Sequence, residues 1–492
     1  MRESVVEYIA IHAHEQPDVA AVIAEGRITN YKTLWNYIRG FSTFLQEVGG
    51  VKKGDRVVVM ASQSLSFAIC YFAIHLAGGI FVPTERNLNI EGLDRIIKLV
   101  EPKVLIVNQL NDVKIFENLT LSMRQVVDIS EAYFSENATF TFPVMWDSSD
   151  ILFTTGTTGS SKGVELAHKT LVATAENLIY GLKMKSDTCI LVPGPLNHAN
   201  PIRKLFTTMV NGSTIVILNG MTNVKAFFDA LDHVNGTAAC CLPPAAIRTL
   251  FQITDDKLKD YADSIDFIES ATAPLPEPDK IRLGQLLPKT RLYNNYGSSE
   301  SASVCMYDYN HYPGKENCVG KAMPNSRILI VNDNKEEINS SKEHMGLLAC
   351  QGDVNMKGYW REPELTNQVL QNGIVYTSDI GYIDSDGFIY VMGRKGDVIN
   401  VGGLKVSPTE VEAAALGYDD INDCICVPVE DKITGNAVKL CVVLKPGVSL
   451  DPRRIRNYLK SRIENYKLPK YIETIEKVPR TYNGKIDRKK LI

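Results

Sequence analysis

Through the first two-thirds of the chain, short apolar runs alternate with amphipathic stretches. Runs at 56–61, 80–82, 103–107, 151–155, 189–193, 213–218 and 238–242 predict buried strands. Between them, 65–77, 90–100, 171–181, 224–234 and 244–251 place apolar residues at helical spacing. That alternation predicts α/β layers with largely parallel sheets. Near residue 320 the rhythm changes. Segments 327–332, 346–351, 374–378 and 387–393 predict strands joined by turns, with Ser385-Asp386-Gly387 as a hairpin signal. A last unit predicts a helix over 407–416 with Pro408 in its first turn, two apolar strands at 424–429 and 438–444, and a basic helix over 452–466.

The expected architecture is therefore a large N-terminal α/β body of stacked mixed sheets with helices and a β-rich subdomain, followed by a small α/β C-terminal domain. The division is expected as 1–395 and 396–492. A length of 492 residues suits such an arrangement. The net charge of −4 gives no basic excess for nucleic acid, so acidic substrates need local cradles rather than a global field. Residues 1–10 lack the apolar run of a signal peptide, and no stretch reaches the roughly 18 apolar residues of a membrane span. The ten cysteines show no zinc-ligand spacing. They read as reduced, buried thiols of a cytoplasmic protein.

Chemistry concentrates first at residues 151–168, ILFTTGTTGSSKGVELAH. A strand-like run enters a Thr/Gly/Ser loop and a helical pattern leaves it. Gly156, Gly159 and Gly163 let backbone approach an anion. Thr154, Thr155, Thr157, Thr158, Ser160 and Ser161 offer hydroxyls, and Lys162 a charge. The spacing is not that of a Walker loop, which needs Gly at 161 and Ser or Thr at 163.

The loop resembles the phosphate loop of the acyl-adenylate-forming superfamily, which includes acyl-CoA and aryl-CoA ligases, peptide-synthetase adenylation domains and luciferases. Further motifs of that family recur in order over nearly the whole chain. They are NNYGSSE at 294–300, QGDVNMKGYW at 351–360, YTSD at 376–379, Gly393-Arg394, GGLKVSPTEVE at 402–412 and PRTYNGKIDR at 479–488. The resemblance implies an ATP- and Mg²⁺-dependent enzyme. It joins a small carboxylic acid to AMP, then passes the acyl group to coenzyme A. Delivery to a phosphopantetheine carrier protein, or a non-catalytic nucleotide-binding module, are the competing readings.

By the same resemblance, the glycine loop with Lys162 holds the β- and γ-phosphates, and Thr155 or Ser299 adds a hydroxyl. Glu300 binds Mg²⁺. Asp379 takes the ribose hydroxyls, with Arg394 beside the nucleotide. Tyr296 stacks on adenine, with Asn294 or Asn295 at the base edge and Gly297 following. Lys485 neutralises charge as the acyl-adenylate forms, and His198 lies near the entering carboxylate. Gly402 and Gly403 line the thiol path, and the small domain turns about a hinge near Gly396 and Asp397. Residues 270–274 form a small-residue wall of the acid pocket. Pro201 and this wall depart from the glycines usual there. Arg203 and Lys204 are expected on a solvated helix face, with pocket-facing cations favouring a second carboxylate as the alternative.

Overall fold

The computed structural model describes residues 2–86, 88–109, 116, 118–154, 162–221, 223–273, 275–315, 317–402, 404–480 and 486–491, without the side chains of Thr154 and Lys405. Among them the strands form sheets of 14, 7 and 5 strands. The seven-stranded sheet is parallel at its centre, where Arg56–Met60 lies between Ile80–Thr84 and Val104–Val107. The largest sheet runs parallel through Ala20–Ala24, Thr214–Ile217, Thr188–Val192, Thr237–Cys241, Ile265–Ser270 and Arg291–Ser298. It then turns antiparallel through Ala302–Asp308 into the β-rich part. The central strands Arg56–Met60, Thr188–Val192 and Thr214–Ile217 are largely apolar because both faces are covered, as parallel sheets require.

The main core lies between the two large sheets. Val57, Val59 and Phe81 of one sheet share a buried cluster with Ile190, Val192, Ile215, Phe267 and Tyr293 of the other, together with helices Val5–Glu15, Tyr31–Glu47, Leu65–Leu76, His168–Leu182 and Ala199–Asn211. Helix Leu65–Leu76 is buried all round, which is what its continuous apolar sequence demands. All ten cysteines are free and buried. No helix among the described residues is long and apolar enough to cross a membrane.

The structure revises three local expectations. The glycine loop is left by an antiparallel strand, Lys162–Ala167, and the helix begins only at His168. Gly163 therefore lies in a strand, and packing explains it. A Cβ there would lie 2.9 Å from Ile151 and 3.3 Å from Trp360. The basic helix near the C-terminus stops at Lys460, several residues short of the expected end.

The C-terminal unit has its own sheet and its own core, built from Val406, Val411, Ala415, Cys424, Val438, Leu440, Ile455 and Leu459 among others. It follows a compact turn in which Asp397 and Val398 both donate backbone N–H groups to the Arg394 carbonyl. Gly396 is exposed, with no atom within 4 Å of a Cβ placed there. Ser407 caps helix Pro408–Leu416 and donates its hydroxyl to the Met392 carbonyl, tying the unit to the end of the large body.

Candidate active site

Three groups of side chains meet around strand Arg291–Ser298 and the turn that follows it. The first is built by strands Ile374–Ile383 and Ile389–Arg394, whose antiparallel register sets Asp379 opposite Arg394. Arg394 Nε lies 3.4 Å from Asp379 Oδ1, and the Tyr296 hydroxyl donates to Asp379 Oδ2 at 2.6 Å. Burial and then the Asp379 charge push the Tyr296 phenol well up, so it remains a donor. A carboxylate has about four acceptor sites, which leaves capacity for ribose hydroxyls. Gly297 is dictated by its neighbour, because a side chain there would run into the Ala302 carbonyl.

The second group gathers Glu300, Tyr359 and Lys162 from three distant parts of the chain. Strand Gly358–Tyr359 adds antiparallel to Lys162–Ala167, with Trp360 N–H donating to the Gly163 carbonyl at 2.7 Å. This sets the Tyr359 ring 5.5 Å from Lys162 Nζ, while its hydroxyl donates to Glu300 Oε1 at 2.8 Å. The turn carrying Glu300 is held by Ser298, whose hydroxyl accepts from the backbone N–H of Glu300 and Ser301. Ser299 lies half-buried in that turn.

The Glu300 carboxylate is a hard oxygen donor, and among the described residues only Tyr359 donates to it. No cluster of three metal-binding side chains occurs among the described residues. A single carboxylate beside a phosphate loop suits Mg²⁺, which is usually bound by one or two carboxylates plus substrate phosphates. Tyr359→Phe is expected to raise the Mg²⁺ concentration needed for half-maximal pyrophosphate release about tenfold, the scale of one hydrogen bond to a charged group. A magnesium titration checks this; an unshifted midpoint removes Tyr359 from the site.

The third group overturns the solvated-face expectation for Arg203 and Lys204. His198 is the N-cap of helix Ala199–Asn211, which is buried from Asn200 through Val210. Pro201 packs against Gly194, where a Cβ would lie 2.8 Å from its ring. Lys204 is 1% exposed and Glu269 0% exposed, and they pair at 3.1 Å. Asn200 accepts from Lys204 at 3.2 Å and donates to Glu269 at 3.4 Å. Asn295 donates to Glu269 at 2.7 Å and to Ser303 at 3.1 Å. Burial alone would raise the Glu269 carboxyl; Lys204 and the donors Asn295 and Cys241 outweigh it and hold the carboxyl low. The Asn295 amide, expected at the base edge, is thus turned into this network, and Asn294 remains half-buried nearby. Arg203 is 8% exposed and donates to the Ser298 carbonyl at 2.5 Å.

On the C-terminal unit, Gly402 has φ +58° and opens a two-residue hairpin turn between Ile399–Val401 and Leu404–Val406. A left-handed turn position is what glycine supplies there. Glu412 accepts from both its partners inside the fold. Arg488 Nη2 reaches both carboxylate oxygens at 2.6 Å, and Cys426 N–H donates at 2.7 Å. Thr155, Gly156, Thr157, Thr158, Gly159, Ser160, Ser161, Pro274, Gly403 and Lys485 lie outside the described residues. The flanks of the Lys485 segment are fixed: Arg480 bridges Ile486, Asp487 N–H donates to the Pro479 carbonyl at 2.9 Å, and Arg480 pairs with Asp423 at 2.7 Å.

Tyr359 and Glu269 have no site role assigned from sequence, and Arg203 and Lys204 have one only as the alternative to a solvated helix face. The only local signal for the buried pair was a Glu near the end of the strand Ile265–Ser270 and two cations inside a run beginning Pro-Ile and ending Leu-Phe.

The chain is similar to known proteins over nearly its whole length. The chain is 27% identical over 521 residues to the long-chain-fatty-acid–CoA ligase of Bacillus subtilis, covering 97% of this chain and 92% of that protein. It is 27% identical over 478 residues to a feruloyl-CoA synthase of Amycolatopsis, covering 96% and 95%. Its fold matches ATP-bound MatB from Rhodopseudomonas palustris with a TM-score of 0.87 at 22% identity, over 99% of this chain and 98% of that one. It also matches the o-succinylbenzoate-CoA synthetase MenE of Bacillus subtilis bound to its acyl-adenylate, with a TM-score of 0.86 at 21% identity over 100% and 98%. The family model for AMP-binding enzymes matches residues 9–360, and the model for the AMP-binding enzyme C-terminal domain matches 410–485. With the first of these spanning most of its length, the chain belongs to the AMP-binding enzyme family.

Proposed function

We propose that the chain is an ATP-dependent carboxylic acid–CoA ligase. In the first half-reaction a carboxylate oxygen attacks the α-phosphorus of ATP, giving acyl-AMP and pyrophosphate. In the second, the thiol of coenzyme A attacks the acyl carbon, forming the thioester and releasing AMP. The observation that carries this reading is the convergence of Lys162, Tyr359 and Glu300 at one end of the Tyr296–Glu300 turn, with the Tyr296–Asp379–Arg394 cluster at the other.

In this mechanism Asp379 holds the ribose and Arg394 adds positive charge beside the nucleotide. Lys162, with the hydroxyls and N–H groups of the 154–161 loop, holds the departing phosphates. Preorganised charges of this kind supply most of the rate when two anions must be brought together. Glu300 would hold Mg²⁺, which when bound would neutralise phosphate charge. His198 stands at the start of its helix, near the entering acid. Lys485 approaches from the small domain for the first half-reaction, and the Gly402-Gly403 turn serves the thiol in the second. We place the boundary between the two domains at 395/396, with the Arg394–Val398 turn as the hinge. A reducing compartment, the cytoplasm, suits ten unpaired thiols.

The test is incubation with ATP, Mg²⁺ and a panel of acids, with and without CoA. Acid-dependent pyrophosphate, and AMP plus acyl-CoA once CoA is added, are expected. Pyrophosphate with no CoA thioester would direct the second step to a carrier protein, and no pyrophosphate with any acid would leave only nucleotide binding.

A further inference from the structure

Among the described residues, Arg203 is a buried cation with no carboxylate in ion-pair contact. A guanidinium has five N–H donors. Among the described residues Arg203 uses one contact, the Ser298 carbonyl, and forms no ion pair. Burial lowers its pKa only to about 10, with Glu269 and Glu300 opposing, so it stays charged at neutral pH. Its helical neighbour Lys204 pairs with Glu269, so that carboxylate is already engaged, and Glu300 reaches Arg203 only through space. Buried charges are normally paired, and leaving one unpaired is costly unless a ligand completes it.

The surroundings are polar as well. Ser270 Oγ, Thr207 Oγ1 and Asn295 Oδ1 are all buried without a hydrogen-bond partner among the described residues. All three neighbour the network in sequence, one beside Glu269, one beside Tyr296 and one a turn beyond Arg203. Arg203 also lies five residues beyond His198 on one helix, roughly 7.5 Å along its axis.

We propose that the acid this enzyme activates is short and carries a second anionic group, which Arg203 receives, while the Lys204–Glu269 pair closes the pocket behind it. This rests on the ligase reading. With the reacting carboxyl near His198 and the second anionic group at Arg203, about a turn and a half further along the same helix, the acid is a short dicarboxylate. An alkyl chain running further would have to displace a buried ion pair, so long fatty acids are excluded. The discrimination is strong because binding an analogue that lacks the charge would leave a buried donor set unpaired.

The unaltered enzyme, with ATP, Mg²⁺ and CoA, is assayed for pyrophosphate release with succinate, glutarate and adipate. Butyrate, pentanoate, hexanoate and palmitate are the matched controls. At least one dicarboxylate is expected to exceed its monocarboxylate counterpart by about 100-fold or more in kcat/KM. Arg203→Met is expected to erase that advantage, lowering kcat/KM for the dicarboxylate far more than for its monocarboxylate counterpart, and Arg203→Lys to restore part of it. Equal or better use of monocarboxylates or palmitate by the unaltered enzyme overturns the proposal, whether or not the variants fold. So does an Arg203→Met variant that slows every acid equally, since the arginine would then serve the nucleotide. If no acid releases pyrophosphate, the ligase reading itself falls, and the proposal with it.

Discussion

Replacing Lys485 with alanine is expected to slow acyl-adenylate formation by about 10²–10³-fold, the scale of removing one preorganised charge stabiliser. Thioester formation from supplied acyl-AMP should stay within about threefold of the unaltered enzyme. The asymmetry follows from where the lysine is carried. Its segment is flanked by the Arg480–Ile486 bridge and by the Arg488–Glu412 pair, which bolts it to helix Pro408–Leu416. That helix follows directly on the Gly402 hairpin. The residues flanking the lysine and those flanking the proposed thiol path thus belong to the same C-terminal unit. In the proposed mechanism only one of them faces the cleft at a time. Measuring the two half-reactions separately, pyrophosphate exchange for the first and CoA thioester formation for the second, checks this. Equal loss in both would contradict the alternation of faces.

Much of this arrangement was legible in the sequence because its signals are local. Period-two and period-3.6 patterns found most strands of the parallel core to within a residue or two, since each is a continuous apolar run between turn residues. The Asp379–Arg394 pairing was reachable too, because both residues carry motifs and their strands are joined by the Ser385-Asp386-Gly387 turn. What escaped was non-local. Tyr359 reaches Glu300 only because a two-residue strand adds to the edge of Lys162–Ala167, and no periodicity announces so short an element. The strand Lys162–Ala167 itself was read as the start of a helix, since GVELAHKTL fits either period and only its antiparallel partner Ser148–Thr154 decides. Arg203 and Lys204 were assigned to solvent by the rule that charges lie outside. That rule fails where a helix is enclosed on all sides and the opposing strand offers a carboxylate. The local conflict sits in the helix capped by His198 and against the strand that carries Asn295 and Tyr296.

Breaking the buried pair should expose its cost. Lys204→Met keeps the volume of the side chain but leaves Glu269 buried beside Asn295 and Asn200 without its counter-charge. Removing one partner of a buried pair costs about 3–5 kcal/mol, because the other charge remains uncompensated. The pH dependence gives the sign. In the unaltered protein the Glu269 carboxyl is held below its unfolded value, so its contribution is present above the unfolded pKa and is lost as pH falls through the folded one. In the variant burial is no longer outweighed and the carboxyl moves above its unfolded value of about 4.3. The variant's deficit should therefore be small near pH 4 and widen as pH rises toward 8. Adding Glu269→Leu should recover most of the loss, since a buried pair replaced by apolar groups of similar volume is often neutral. Urea denaturation of the single and double variants at several pH values measures this. A deficit independent of pH, or a double variant no more stable than the single, would mean that Lys204 acts by packing rather than by charge.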